Sequence, residues 1–290
     1  MVYQEKIWIL YFYIIMKLSV IIINFNGLKY LENCLNSIFL NLTNITFEII
    51  LFDNNSTDES CNFIKNNYPH IHLIPSNVNY GFGKGNNAAV KCAKGEFLLL
   101  LNNDTILLDK LLPVLNILEN DRTIGVMGIN MLDSNKNYLQ VVGKFPKFKN
   151  MFRLKDLLNN GVEFKSGSFS KEMYDIDWIG GSFLLLSKNN FEMINGFDED
   201  YFMYVEDVDF CKKIANLGYR RVFMPNFSYI HFVGFNDSKT PLLLNGYKKY
   251  LSKHKKGLSY FLSLFALTMN KYVKKLKSYQ NSIIFIKFKI

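Results

Sequence analysis

The chain has 290 residues, 49% of them hydrophobic and 20% charged, with a formal net charge of +9. That balance describes a globular protein with material for one large α/β domain or two small ones, and it excludes a disordered or fibrous chain. Cys34, Cys61, Cys92 and Cys211 stand far apart with no C-x-x-C pair, which argues against a zinc site or a disulfide framework.

Residues 1–15 include the apolar run Ile7–Ile15, followed by Lys17. The run is short, and no basic segment or small-residue cleavage site accompanies it, so it reads as an apolar extension rather than a signal peptide. Met16 onward reads like an ordinary start feeding a first strand, Leu18–Phe25, which is rich in β-branched residues and closed by Asn26 and Gly27. Tyr30–Leu40 sets Leu31, Cys34, Leu35 and Ile38 on one helical face. A second strand, Phe47–Phe52, ends on Asp53. Ser56-Thr57-Asp58-Glu59 has the S-x-x-E spacing of a capping box and predicts a helix start.

Ile71–Ile74 reads as a short strand before a loop marked by Pro75, Asn77 and Asn79, and Gly83–Lys94 as a helix entered through glycines. Phe97–Leu101 is a fourth strand, Asp109–Glu119 a helix and Gly125–Met131 a fifth strand. Strand and helix alternate at βαβ spacing, which predicts a mainly parallel, right-handed wound sheet flanked by helices. Across Lys144–Glu172 the rhythm is lost, as in a variable loop. Trp178–Ser187 restores a strand, followed by a helix from Asn189, another over Glu206–Leu217 capped by Gly218, and a strand at Arg221–Met224. The expected organisation is one domain over 16–237 and a tail over 238–290.

That tail is chemically distinct. Beyond Asp237 there are 12 lysines and no acid, so 22 basic residues face 25 acidic ones in the remainder, a net of −3. The lysines flank Tyr260, Phe261, Leu262, Leu264, Phe265 and Leu267, and later Ile283–Ile286. This suits a basic amphipathic helical segment lying on an anionic leaflet. The alternative is an amphipathic helix docked on the domain. Leu258–Met269 is too short to span a bilayer, which takes about 20 apolar residues. Nucleic acid is not an expected partner, because the basic character does not extend onto the body.

Four clusters carry chemistry. Asp53 ends a strand, where open α/β sheets bind ligands, and Asn24 and Asn26 close the neighbouring strand. Such a carboxylate can accept from a pyrimidine imide or a ribose hydroxyl. Asn79-Tyr80-Gly81-Phe82-Gly83-Lys84-Gly85 lets backbone approach an anion, yet it fits neither a dinucleotide fingerprint nor a P-loop. Asn102-Asn103-Asp104 ends the fourth strand with one carboxylate, enough for Mg²⁺ or Mn²⁺ when diphosphate oxygens complete the shell. Glu206, Asp207 and Asp209 either complement a helix N-terminus or, crowded after Asp198, Glu199 and Asp200, supply a base of raised pKa. His231 follows a strand and is either structural or a metal ligand.

In order along residues 17–234, these motifs resemble the family 2 inverting glycosyltransferases of the nucleotide-sugar-binding GT-A fold, closest to the bacterial rhamnosyltransferase-like branch. Ser19–Asn26, Asp53–Asp58, Asn79–Gly83, Asn102–Asp104, Gly180–Phe183, Gly196–Glu199 and Glu206–Asp209 carry the likeness. It implies a Rossmann-like GT-A sheet and a nucleotide-sugar site drawn from Asn24, Asn26, Asp53, Asn79, Gly81, Lys84, Asn102 and Asp104. It further implies a divalent ion on Asp104 with His231, and Asp207 as the base with Glu206 beside it. Gly180 and Gly181 would admit the donor sugar and acceptor, and Trp178 would stack on a sugar face.

Asn102 stands where a full D-x-D motif would begin. The polytopic region of processive synthases is absent from this sequence, which favours transfer of a single sugar. The implied donor is a dTDP- or UDP-sugar, dTDP-rhamnose among them. The implied acceptor is a saccharide or polyprenyl-linked saccharide, reached from the cytoplasmic face of the membrane. A sugar nucleotidyltransferase and a catalytically weak nucleotide-sugar-binding protein remain the alternatives. The first would need a Gly-rich basic loop after the first strand, where this chain has Asn26-Gly27-Leu28-Lys29, and the second would be expected to have lost Asp104 or Asp207.

Overall fold

Leu18–Asn24 (β1) is buried along its length apart from Ile23, which is partly exposed. A β-branched run of this kind suits a strand covered on both faces. The structure is a computed structural model that describes residues 16–159, 161–232, 240–270 and 272. The expected extension at 1–15 and the lysines beyond 272 lie outside the described residues.

After β1 the chain alternates through Leu28–Asn41 (α1), Phe47–Asp53 (β2), Ser60–Asn67 (α2), His72–Pro75 (β3), Gly81–Val90 (α3) and Phe97–Asn102 (β4). All four strands are parallel. Their register sets Asn24 opposite Asp53 and Ile23 opposite Asn102, so the polar strand ends meet at one edge. Thr105–Leu107 (β5), Leu112–Asn120 (α4), Ile124–Leu132 (β6), Tyr138–Leu139 (β7) and Val142–Gly143 (β8) follow. Then come Phe148–Met151 (α5), a 3₁₀ turn at Leu154–Leu157, Val162–Ser166 (α6), Tyr174–Asp175 (β9), Trp178–Ile179 (β10) and Phe183–Ser187 (β11). Lys188–Met193 (α7), Glu206–Asn216 (α8), Arg220–His231 (β12) and Thr240–His254 (α9) complete the named elements. A last helix, 257–270 (α10), closes the described chain.

The main sheet has the order β3-β2-β1-β4-β11-β6-β12-β5. Its pairings give β3, β2, β1, β4, β6 and β12 one direction and reverse β11 and β5, a mainly parallel sheet with one inverted strand inside it. Side chains alternate between two apolar layers, as strand geometry requires. Ile21, Leu98 and Leu100 face one layer, while Val20, Ile22, Leu99 and Leu101 face the other.

Four local expectations change. Ser56 does not cap α2. Its hydroxyl accepts from Asn26 N at 2.9 Å and from Asn24 Nδ2 at 3.1 Å, and Asp58 Oδ1 takes the Ser60 N–H instead. The strand expected over Trp178–Ser187 is broken at Gly180-Gly181. Its first part pairs with β8 in a separate ribbon, and its second joins the main sheet. β12 continues past Pro225 to His231 through a register shift between Met224 and Ser228. The irregular Lys144–Glu172 segment is packed rather than loose, burying Met151, Leu154, Leu157 and Phe164.

The start of the basic tail also belongs to the body. Leu244, Tyr247, Tyr250 and Leu251 of α9 sit in the same apolar layer as α8. His254 Nε2 lies 2.6 Å from the buried Asp209 carboxylate, and Lys253 Nζ lies 2.7 Å from Asp198. Among the described residues, no helix is long and apolar enough to cross a membrane.

Candidate active site

The residues expected to line the nucleoside form a chain of amides across three strand ends. Asn103 Nδ2 donates to Asn24 Oδ1 at 2.7 Å, Asn24 Nδ2 donates to Asp53 Oδ1 at 2.8 Å, and Ser56 N donates to Asp53 Oδ2 at 2.9 Å. Asn24 and Asp53 are buried. Each carboxylate oxygen keeps a lone pair for a ligand donor. Gly27 makes the closure possible, since a Cβ there would stand 2.0 Å from Asn103 Nδ2. Asn26, at φ +50°, spends its side-chain oxygen on the Thr57 and Asp58 N–H groups and so shapes the loop above Asp53.

Asn54 was not singled out from the sequence, yet it fixes the next loop. It is buried, accepts from Tyr80 N at 2.7 Å and donates to Gly81 O at 2.9 Å, while Asn79 Oδ1 takes the Gly81 N–H at 2.9 Å. Gly81 has φ +76°, and a Cβ there would meet Phe202 O at 2.0 Å. A side chain at that position would therefore clash with the loop leading to α8. Lys84 lies 3.5 Å from Glu199 and 4.9 Å from the Tyr80 ring centroid, which accounts for its charge locally.

At the end of β4, Asp104 is buried and its Oδ1 lacks a hydrogen-bond partner. His231 Nε2 stands 3.2 Å from that oxygen, near enough for charge contact but not aligned for a hydrogen bond. Asn102 Nδ2 lies 3.3 Å from the same Nε2. An orphaned carboxylate oxygen with an imidazole nitrogen 3.2 Å away offers a divalent cation two donors. No group of three or more His, Cys, Asp or Glu that could hold a metal occurs among the described residues, so any such ion would take its remaining donors from ligand and water.

α8 starts on Glu206 and Asp207. Asp207 Oδ2 accepts from Gly181 N at 3.1 Å and Oδ1 from Val208 N at 2.8 Å. Glu206 is buried with Oε2 unpartnered. Burial pushes both carboxyls above the ordinary range. The Asp207 charge adds to this for Glu206, which rises to about 8. Backbone donors reach both carboxyls, but Glu206 alone feels its neighbour's charge and keeps one oxygen without a donor, so the proton belongs on Glu206 and the charge on Asp207. The turn before the helix is strained, with Tyr204 at φ +71° and Val205 at φ +76°. Gly246 of α9 presses on it, since a Cβ there would lie 2.6 Å from Tyr204 O.

The acidic crowd seen in the sequence is thus not one site. Asp198 and Asp200 pair with Lys253, Glu199 with Lys84 and Asp209 with His254. Asp207 lies against Gly180 and Gly181. Trp178 is a correction. Its indole donates to Lys144 O at 3.0 Å and its ring covers Gly143, so it is buried in the fold and presents no free face to a sugar.

A sheet whose parallel strand ends gather Asn24, Asp53 and Asp104, with a carboxylate at a helix start opposite paired glycines, defines a GT-A nucleotide-sugar transferase. The chain belongs to Glycosyl transferase family 2, whose sequence profile matches residues 19–176, and it is a glycosyltransferase. A second profile, the N-terminal domain of galactosyltransferase, matches 165–235 and so takes in Gly180, Gly181, Asp207 and His231.

The chain is 29% identical over 225 residues to the rhamnosyltransferase WbbL of Escherichia coli (strain K12), covering 73% of this chain and 82% of that protein. It is 24% identical over 277 residues to the N-acetylglucosaminyl-diphospho-decaprenol L-rhamnosyltransferase of Mycobacterium tuberculosis, covering 85% of this chain and 84% of that one. Two solved structures share the fold. GalNAc-T7 with UDP, GalNAc and Mn²⁺ has a TM-score of 0.65 at 16% identity, over 83% of this chain and 48% of that chain, about half its length. S. aureus TarS with UDP has a TM-score of 0.56 at 19% identity, over 87% and 70%.

Proposed function

We propose that the chain transfers one sugar from a nucleotide-diphosphate donor, a dTDP- or UDP-sugar with dTDP-rhamnose the leading case, to a hydroxyl of a lipid-linked saccharide in cell-surface polysaccharide synthesis, with inversion. The single observation that carries this is the Asp207 carboxylate, held by Gly181 N and Val208 N in the first turn of α8. In a single displacement, Asp207 takes the proton of the acceptor hydroxyl as its oxygen bonds to the anomeric carbon and the bond to the diphosphate breaks. Asn24 and Asp53 orient the nucleoside, and Gly180 and Gly181 let the backbone come close to the donor sugar. Asp104 and His231 would hold Mg²⁺ or Mn²⁺, whose charge, when bound, offsets that of the leaving diphosphate.

The rhamnosyltransferase relatives support the donor class, and the diphospho-decaprenol named for one of them supports a polyprenyl-linked acceptor. On this reading the enzyme sits peripherally on the cytoplasmic leaflet, with its lysine-rich C-terminal segment against anionic lipid. The test is nucleotide release from a panel of UDP-, dTDP- and GDP-sugars with and without Mn²⁺. Release of a nucleoside diphosphate from one donor, weakened by chelator and by Asp104→Ala, is expected. Consumption of a nucleoside triphosphate and a sugar 1-phosphate instead would make the chain a nucleotidyltransferase. Activity indifferent to chelator would remove the metal from Asp104.

A further inference from the structure

α8 carries Asp207 in its first turn and Lys212 five residues on, roughly 7–8 Å further along the axis. The Lys212 ammonium lies 5.0 Å from the centroid of the Phe145 ring, and the Arg221 guanidinium lies 5.6 Å from the same ring. Arg221 is already committed, with its guanidinium 3.9 Å from Asp177 Oδ1 and its Nε donating to Asp177 O at 3.2 Å. Asp177 is also taken, accepting from Phe145 N at 2.8 Å. Among the described residues, no carboxylate pairs with Lys147, Lys212 or Lys255. The Lys255 ammonium is held below the usual lysine range, first by burial and then by the charges of Lys212 and Lys147. Lys212 on the Phe145 ring, with Lys147 close by in the chain, has no carboxylate of its own, and a bound polyanion would supply one.

α10 begins two residues after Lys255. Its inner face, Ser263, Ala266, Leu267 and Asn270, is buried, and Asn270 Nδ2 donates to Phe152 O at 2.6 Å, which fixes the helix over the segment that starts at Phe145. Its outer face is apolar as well. Leu258, Phe261, Leu262, Phe265 and Met269 are between 39% and 73% exposed and recur at i, i+3, i+4, i+7 and i+11, a single stripe. An apolar stripe in water beside unpaired lysines matches a ligand with an anionic head and a hydrocarbon tail.

We propose that Lys147, Lys212 and Lys255 bind the diphosphate of a polyprenyl diphosphate-linked acceptor, while the α10 stripe lies along its hydrocarbon. Asp177, beside Arg221 and Phe145, is three residue steps from Gly180 beside Asp207, a reach of no more than about 11 Å. The inference rests on the reading of Asp207 as the base, and vesicle binding tests it without using that reading.

The experiment uses the full chain, a Lys212→Gln/Lys255→Gln double variant, a Phe261→Ser/Phe265→Ser double variant, and phosphatidylcholine vesicles with or without polyprenyl diphosphate. Each lysine at an anionic surface contributes roughly fivefold in affinity, so the lysine variant should bind the polyprenyl diphosphate vesicles about 25-fold more weakly. The phenylalanine variant should lose binding to both kinds of vesicle. In transfer assays, the ratio of acceptor KM for the lipid diphosphate form to that for a phosphate-free soluble form should rise by a similar factor in the lysine variant. An unchanged ratio, or equal loss on the two acceptors, would overturn the proposal. So would an equal loss on charge-matched phosphatidylglycerol vesicles, which would assign the lysines to bulk headgroups. Wild-type vesicle binding with no transfer from any donor would count against the enzymatic reading alone.

Discussion

Asp207 has two backbone N–H donors, from Gly181 and Val208, and Glu206 has a buried oxygen with none. The difference assigns the charge to Asp207 and the proton to Glu206, whose carboxyl stands at about 8. Linkage gives a sign that can be measured. Between the ordinary glutamate range and that value the native state holds a proton that the unfolded state has released, so stability falls as pH rises. Glu206→Gln removes this dependence, while Asp207, raised in the same direction, remains in the variant. The variant should melt above wild type at pH 8, with the gap closing toward pH 5, and should keep turnover within about tenfold. A gap independent of pH would mean that Glu206 is ionised in the folded protein.

At the scale of elements, α9 matters more than its place in a basic tail suggested. Leu251 is fully buried, and Gly246 lies against the strained Tyr204–Val205 turn that starts α8. Leu251→Ala should cost about 2–5 kcal/mol, read by urea denaturation, as large-to-small changes in cores do. Truncation at Lys239 should therefore destabilise the body itself, and a truncated chain that unfolds at the full-length urea midpoint would contradict this packing. Burial periodicity made β1, β2 and β4 legible in the sequence, because their apolar runs end on Asn24, Asp53 and Asn102. It also marked α8, because its acids precede an amphipathic stretch. What it does not encode is which surface a stretch packs on. Trp178 therefore read as a sugar platform, and α9 as part of a basic tail lying on a leaflet or docked on the domain. Pro225 hid the second half of β12, since a bulge that tolerates proline leaves no local signature.

The molecule as a whole joins a body of net charge −3 to a C-terminal region with 12 lysines and no acid. Part of that charge is spent internally, as Lys253 on Asp198 and Asp200, and part faces outward beside α10. The proposed nucleotide end of the site lies over β1, β2 and β4, and the proposed base lies at the head of α8. The β10–β11 break at Gly180-Gly181 brings the two together. The central claim is that Asp207 removes the acceptor proton in an inverting transfer. It is tested most directly by acceptor-dependent turnover in Asp207→Asn, with donor binding measured in parallel. The account predicts a fall of about 10²–10⁴-fold with donor affinity retained, the range for losing a general base. Near-normal turnover in that variant would contradict it and move the base to another group.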